Sequence, residues 1–311
     1  MTRGRRAAVV GGSIGGLTVA LLLRELGWEV EVFERSGAAL QSRGAGIVVH
    51  PMAVRYVVER GVSDLDRVTV AADRLRYVDA DGAVVFEEWS PYRFTGWNTL
   101  YRTLRGRLPS RGYRLGSAMV AFEELGDHVE VRFADGGRER CDLLVCADGP
   151  ASTGRSQLLP EVVPLYSGYV GWRGTVTDAA LTHSTLEQLR GSIVYHLMPG
   201  SHILIYPIPA VDGSMAPGHR LMNFVWYRNV APGADLEALM TDREGSRREL
   251  SVPPGAVGEV HLAELRDAAR RLPPALGEIV SKADEPFIQP VMDVEVTRMA
   301  FGRACLLGDA A

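Results

Sequence analysis

The sequence has 311 residues, with 34 basic and 38 acidic side chains, a formal net charge of −4 and a hydrophobic fraction of 46%. Such a chain exceeds one ordinary domain of about 100–200 residues, so two lobes around a substantial core are expected. The charge balance offers no electrostatic footprint for nucleic acid, and the longest apolar run, Leu17–Leu23, falls far short of the ~20 residues of a membrane span. A small-molecule partner fits that balance.

Residues 6–35, RAAVVGGSIGGLTVALLLRELGWEVEVFER, predict a βαβ unit. An apolar strand from Ala7 to Val10 meets a glycine-rich turn, a helix runs from about Ile14 to Leu26, and a second strand spans Glu29 to Phe33. Gly11 can adopt the angles of the sharp turn, and Gly16, without a side chain, lets the helix lie close on the strand. Unpaired amides and the positive dipole end at the helix start suit a pyrophosphate. Glu34 follows at the spacing where a carboxylate accepts from ribose hydroxyls. Ser13 stands where the middle glycine of G-x-G-x-x-G is usual, but it is small and its hydroxyl can itself bond a phosphate oxygen.

Beyond Arg35, QSRGAGIVV reads as a glycine-broken loop entering a short strand, and Pro51 to Gly61 as a helix with Met52, Val54, Val57 and Val58 available for burial. Alternation on both sides of Asp81-Gly82 predicts a hairpin over 73–89. TLYRTLRGRLP reads as a helix, and CDLLVCADG as a central parallel strand that leaves Asp148 at its C-terminal end, where open α/β sheets place ligands. Residues 166–230 read as successive strands, and helical stretches are expected at 234–241 and 260–271. Arg303 to Leu307 forms another short buried strand before Gly308-Asp309. Cys141, Cys146 and Cys305 sit in apolar runs without metal-ligand spacing, so buried free thiols, no metal and a cytoplasmic setting are expected.

GGSIGG with Glu34, CADGPASTGR at 146–155 and RACLLGDAA at 303–311 stand in an order that resembles the single-component FAD-dependent aromatic hydroxylases of the para-hydroxybenzoate hydroxylase type. GIVV, GYVGWRG, YPIP, MNFVWYRNV and LMTD narrow the likeness to the branch of 2,6-dihydroxypyridine 3-monooxygenase and its relatives, in which Ser13 is ordinary. The resemblance implies an α/β fold, with a Rossmann-like FAD-binding lobe and an inserted β-sheet substrate lobe. The FAD-binding lobe is expected at 1–72, 96–165 and 286–311 and the substrate lobe at 73–95 and 166–285. In that family a proline- and glycine-bearing segment and further helix follow G-D-A-A, so the sequence is expected to be a fragment cut short in its flavin lobe.

The implied chemistry is reduction of FAD by NAD(P)H, addition of O2 at flavin C4a and delivery of a hydroxyl to an electron-rich phenol or hydroxypyridine, with the protein positioning and shielding the reactants. By resemblance, Gly11, Gly12, Ser13, Ile14, Glu34 and Arg35 hold the adenosine and diphosphate, Ala45, Gly46 and Ile47 lie along the flavin, and Arg102, Asp148 and Asp309 match later cofactor positions. Because ring activation needs a proton shared or lost, His196 and Tyr206, on neighbouring predicted strands, are catalytic candidates; a satisfied strand histidine and a packing tyrosine are the alternatives. Arg173 is a candidate anion partner, beside Trp172. An aromatic substrate and O2 are the expected partners, without nucleic acid or membrane, and a homodimer is left open. Another flavin oxidoreductase, of epoxidase, reductase or halogenase type, and a non-catalytic flavin-binding relative also stay open.

Overall fold

The computed structural model describes residues 4–40, 46–50, 52 and 54–311. The chain divides into two compact units, the first comprising 1–42, 100–165 and 292–311, the second 43–99 and 166–291. The sequence-based lobe boundary at 72 differs from this division, because the strand Gly46–Val48 pairs with Val84–Gly96 in the sheet of the second unit.

In the first unit a six-stranded sheet has the spatial order Ala300–Phe301, Ala304–Leu306, Leu143–Cys146, Arg6–Val10, Glu29–Phe33, Tyr113–Arg114. All neighbours are parallel except the first pair. Leu143–Cys146 is central, as its run of apolar residues predicts, with Leu144, Val145 and Cys146 buried. The helix Ile14–Glu25 joins the first two strands in sequence. It stops where Gly27, at φ +83°, turns left-handed, and Trp28 N–H donates to Leu23 C=O at 3.0 Å, a Schellman closure. An antiparallel meander of Met119–Glu124, Val129–Phe133 and Arg138–Cys141 packs Phe122, Val129, Val131 and Phe133 into one apolar cluster with Val10, Phe33, Leu144 and Leu306.

The second unit is built on an eight-stranded sheet ordered Phe287–Asp293, Leu165–Thr177, Leu221–Asn229, Ser201–Ile208, Ser192–Met198, Val70–Val78, Val84–Gly96, Gly46–Val48. The Asp81-Gly82 hairpin forms as expected, with Gly82 at φ +86°. Alternation along the strands sends Trp172, Ile203, Ile205, Phe224 and Trp226 to one face, where Leu265, Leu276, Ile279 and Val280 from the helices Glu259–Ala269 and Pro274–Lys282 cover them. Each such side chain, once fully buried, contributes roughly 1.5–3 kcal/mol. The opposite face gathers Phe94, Ile193, Leu204, Tyr206, Ile208 and Val225, with Tyr195 and Tyr227 partly buried against them.

Between Met52 and Gly61 the helix is shorter than expected, Arg55–Glu59. Val54 and Val57 are buried, but Met52 and Val58 are 65% and 50% exposed, since one turn and a half presents a single narrow apolar stripe. Pro51 lies outside the described residues. Among the described residues no helix is long and apolar enough to cross a membrane.

Candidate functional site

The glycine turn of the first unit is shaped by close contacts. Gly11 has φ +103°, and a Cβ there would stand 2.0 Å from the Ala147 carbonyl oxygen; one at Gly16 would stand 1.9 Å from the Gly11 oxygen. Gly11 therefore has to be glycine for both its angles and the strand end beside it. Ser13 caps the helix with extended backbone angles but its side chain makes no capping bond, and the first turn carries no acidic residue. The amides at the helix start thus keep their donors and their positive field.

Glu34 is buried at the end of the second strand, where its Oε2 accepts from Gly12 N–H and its Oε1 from Ser36 N–H, both at 2.8 Å. A carboxylate has about four lone-pair sites, so capacity remains for ribose hydroxyls. Tyr113 braces the same turn: its hydroxyl donates to Gly12 C=O at 3.0 Å, and the Arg105 guanidinium lies 4.5 Å from its ring centre. Burial pushes the Tyr113 phenol well above its usual pKa, helped by Tyr101 alongside, so the hydroxyl stays a donor. Sequence reasoning missed Tyr113, whose signal is only its place on a parallel edge strand.

The other expected cofactor residues fall in different settings. Arg35 and Asp309 are exposed, Arg102 and Ile14 half-buried, and none of the three charged side chains has a hydrogen bond or ion pair among the described residues. Asp148 is committed locally: Oδ1 accepts from the Ser152 hydroxyl at 2.5 Å and Oδ2 from the amides of Thr153 and Gly154 at 2.8 and 3.2 Å, capping the short helix Thr153–Leu158. That helix carries Arg155, only 1% exposed, whose guanidinium donates to the carbonyls of Asp309 and Ala310, both at 3.3 Å, and of Pro150. The D-G and G-D segments are thereby tied together. Cys141 and Cys146 are free and buried, and Cys305 is free and half-buried.

In the second unit Gly46 is enclosed by Tyr206 and Asn223. Its amide donates to Asn223 Oδ1 at 2.8 Å, and a Cβ would meet Tyr206 Cε2 at 2.6 Å. Ile47 follows, half-buried, and Ala45 lies outside the described residues. Tyr206 stacks on Phe94 with ring centres 4.4 Å apart. Burial raises its phenol pKa while Arg173 nearby pulls the other way, which makes Tyr206 a hydrogen-bond donor rather than a base.

The structure separates the two proton-handling candidates. His196 pairs with Ile203 and Tyr206 with Asn223 in the sheet register, and strand parity puts His196 on the helix-covered face and Tyr206 on the other. His196 is 6% exposed and its Nδ1 donates to the Val78 carbonyl at 2.9 Å. It is a satisfied core histidine, and Trp172 shares its face as packing. Arg173 lies opposite Val225, on the face of Tyr206, and Asn223 sits two residues before Val225 on that same face. Arg173 Nε and Asn223 Nδ2 are both buried without a hydrogen-bond partner among the described residues. An unmade bond to a buried donor costs about 1–3 kcal/mol, so two on one aromatic face mark a place built for an acceptor.

The glycine cradle, the open helix start and the ribose-spaced carboxylate fit a flavin dinucleotide. The FAD binding domain-like family matches residues 166–293. Across 98% of its length the chain is 37% identical to 2,6-dihydroxypyridine 3-monooxygenase of Paenarthrobacter nicotinovorans, covering 76% of that protein. It is 28% identical to salicylate hydroxylase of Pseudomonas putida, covering 71% of it. The solved structure of 2,6-dihydroxypyridine-3-hydroxylase from Arthrobacter nicotinovorans superposes with a TM-score of 0.93 over 99% of this chain and 78% of that one. The chain belongs to the FAD-dependent aromatic hydroxylases of the para-hydroxybenzoate hydroxylase type. It is a flavoprotein monooxygenase, with FAD as cofactor and NAD(P)H as reductant.

Proposed function

We propose that the chain hydroxylates an electron-rich ring of the phenol or hydroxypyridine class on the Tyr206 face of its large sheet. The observation that carries this reading is the wall itself: Phe94 and Tyr206 stacked at 4.4 Å, with two buried donors on the same face, Arg173 Nε and Asn223 Nδ2, that find no partner among the described residues. The aromatic surface takes a flat ring, and the donors polarise its oxygen substituents toward oxyanion character, which raises electron density at the carbon to be attacked. Tyr206 holds its proton and donates it as a hydrogen bond.

For the cofactor, the reading gives the adenosine and diphosphate to the turn of Gly11, Gly12, Ser13 and Ile14 with Glu34 and Arg35, the Gly11 and Gly12 amides being already held by the Phe33 carbonyl and Glu34, and further contacts to Gly46, Ile47, Arg102 and Asp309. Asp148 serves this set indirectly, by capping the helix of Arg155. FAD, when bound, supplies the redox chemistry that activates oxygen. A cytoplasmic setting belongs to the same proposal and is supported by three unpaired cysteines. A homodimer is the assembly that sedimentation would check.

The test is NAD(P)H consumption by the FAD-loaded protein with and without hydroxylated pyridines and phenols, with product identified by mass. Stimulation with a product one oxygen heavier supports the reading. No stimulation by any such ring overturns it.

A further inference from the structure

A cavity of about 220 Å³ opens in the first unit, away from the cofactor residues. It lies where the strands Arg6–Val10 and Glu29–Phe33 begin, whereas the glycine turn stands at their far ends, about five residues or roughly 16 Å along the strand. Ala8, Phe33 and Cys141, all buried, give it an apolar lining. Its charges are unevenly used. Arg6 and Glu29 are partners in the parallel register, yet no ion pair joins them among the described residues. The Arg6 guanidinium instead reaches Glu139 at 3.5 Å, while Arg114 holds the other oxygen of that carboxylate at 2.7 Å. Arg111, from the turn before the strand Tyr113–Arg114, also lines the cavity. Arg111 and Glu29 are exposed, and neither side chain has a hydrogen bond or ion pair among the described residues. Two underused cations and one unneutralised anion thus border a single small apolar space.

We propose that this cavity binds a free amino acid with an apolar side chain, its carboxylate on Arg6 and Arg111, its ammonium on Glu29 and its side chain against Phe33. Guanidinium forks suit a carboxylate, which accepts paired N–H donors. Adjacent strands lie about 4.8 Å apart, so Arg6 and Glu29 present opposite charges at a separation that suits two groups carried on one α-carbon. A purely anionic ligand sets its charge beside Glu29, and an amine without a carboxylate sets its charge beside the arginines. The volume falls below the ~300–1,000 Å³ of pockets for drug-sized ligands, so one amino acid is the size that fits. This site is separate from that of the proposed hydroxylation, and neither reading depends on the other.

The experiment follows, by calorimetry on the FAD-loaded protein, the binding of L-leucine, of N-acetyl-L-leucine, which lacks the ammonium, and of L-leucinamide, which lacks the carboxylate. L-leucine is expected to saturate with a dissociation constant below about 1 mM and to bind at least ~10-fold tighter than either blocked compound. Arg111→Gln and Glu29→Gln, both at exposed positions outside the proposed cofactor and ring sites, are each expected to weaken L-leucine at least ~10-fold. FAD content and melting temperature are expected to stay as in the unaltered protein. A saturating hydroxylated pyridine is expected to leave L-leucine binding unchanged, which separates this cavity from the Tyr206 face. Absence of saturable L-leucine binding, equal binding of the three compounds, binding untouched by both substitutions, or displacement of L-leucine by the pyridine overturns the proposal.

Discussion

The Tyr113 hydroxyl donates to the carbonyl of Gly12 at 3.0 Å, and a Cβ at Gly12 would stand 2.1 Å from that same oxygen. The pair explains why two glycines begin the turn when Gly11 alone has the left-handed angle. Gly12→Ala forces the tyrosine and the turn apart, and FAD affinity, followed by flavin fluorescence quenching, is expected to fall at least 100-fold. Tyr113→Phe removes one net hydrogen bond, worth about 0.5–1.5 kcal/mol, and is expected to weaken FAD by no more than about 10-fold. Equal losses for the two variants would contradict the steric account.

Acid sensitivity of the second unit should trace to Glu278. Burial works against its charge, yet bonds from Lys282, Thr185 and Thr182, the last through both hydroxyl and amide, hold its carboxyl down at about 2. A carboxylate whose pKa is depressed in the folded state contributes stability that is present above its unfolded pKa of about 4.5 and lost as pH falls toward 2. Thermal melts between pH 5 and pH 2.5 are expected to show this loss, and Glu278→Gln to flatten it at the cost of lower stability near pH 7.

Among the described residues Arg155 has no carboxylate partner and relies on three carbonyls. Arg155→Met leaves those carbonyls without their donor and is expected to cost about 3 kcal/mol or more, with cleavage by protease near 308–311 as a local readout. Arg155→Lys cannot span the same three acceptors and is expected to rescue little of it. Full stability in Arg155→Lys would show that charge alone matters.

Thiol chemistry offers a separate check. Burial pushes the Cys141 thiol up to about 11 and Cys146 higher still, and raises Cys305 as well. Ellman's reagent is expected to modify Cys305, the half-buried one, before Cys141 and Cys146, which react only on unfolding. Gly154→Ala would press a methyl to 2.4 Å from Cys146 Sγ and is expected to cost about 1–3 kcal/mol.

The βαβ unit, the Asp81-Gly82 hairpin and the central strand Leu143–Cys146 were legible in the sequence because each is specified by residues close together in the chain. His196 and Tyr206 do lie on neighbouring strands as expected, but adjacency of strands says nothing of register, and the register puts their side chains on opposite faces. The helix Pro274–Lys282 escaped notice since Pro273-Pro274 reads as a break, whereas proline is at home in a first helical turn. Asp148 read as a ligand residue, and the cap it makes depends on Ser152 and on two amides that no apolar pattern reveals. Asn223 stood inside MNFVWYRNV without being singled out; its role shows only in Gly46, 177 positions away, taking one side of its amide.

Because Arg155 grips the Gly308–Ala310 turn only through main-chain oxygens, the anchor is blind to the identity of the side chain at 309. The Asp309 carboxylate stands exposed and makes no hydrogen bond or ion pair among the described residues. The fold therefore places no architectural demand on the side chain at 309, and a change of charge at Asp309 is expected to leave the melting temperature of the protein where it was.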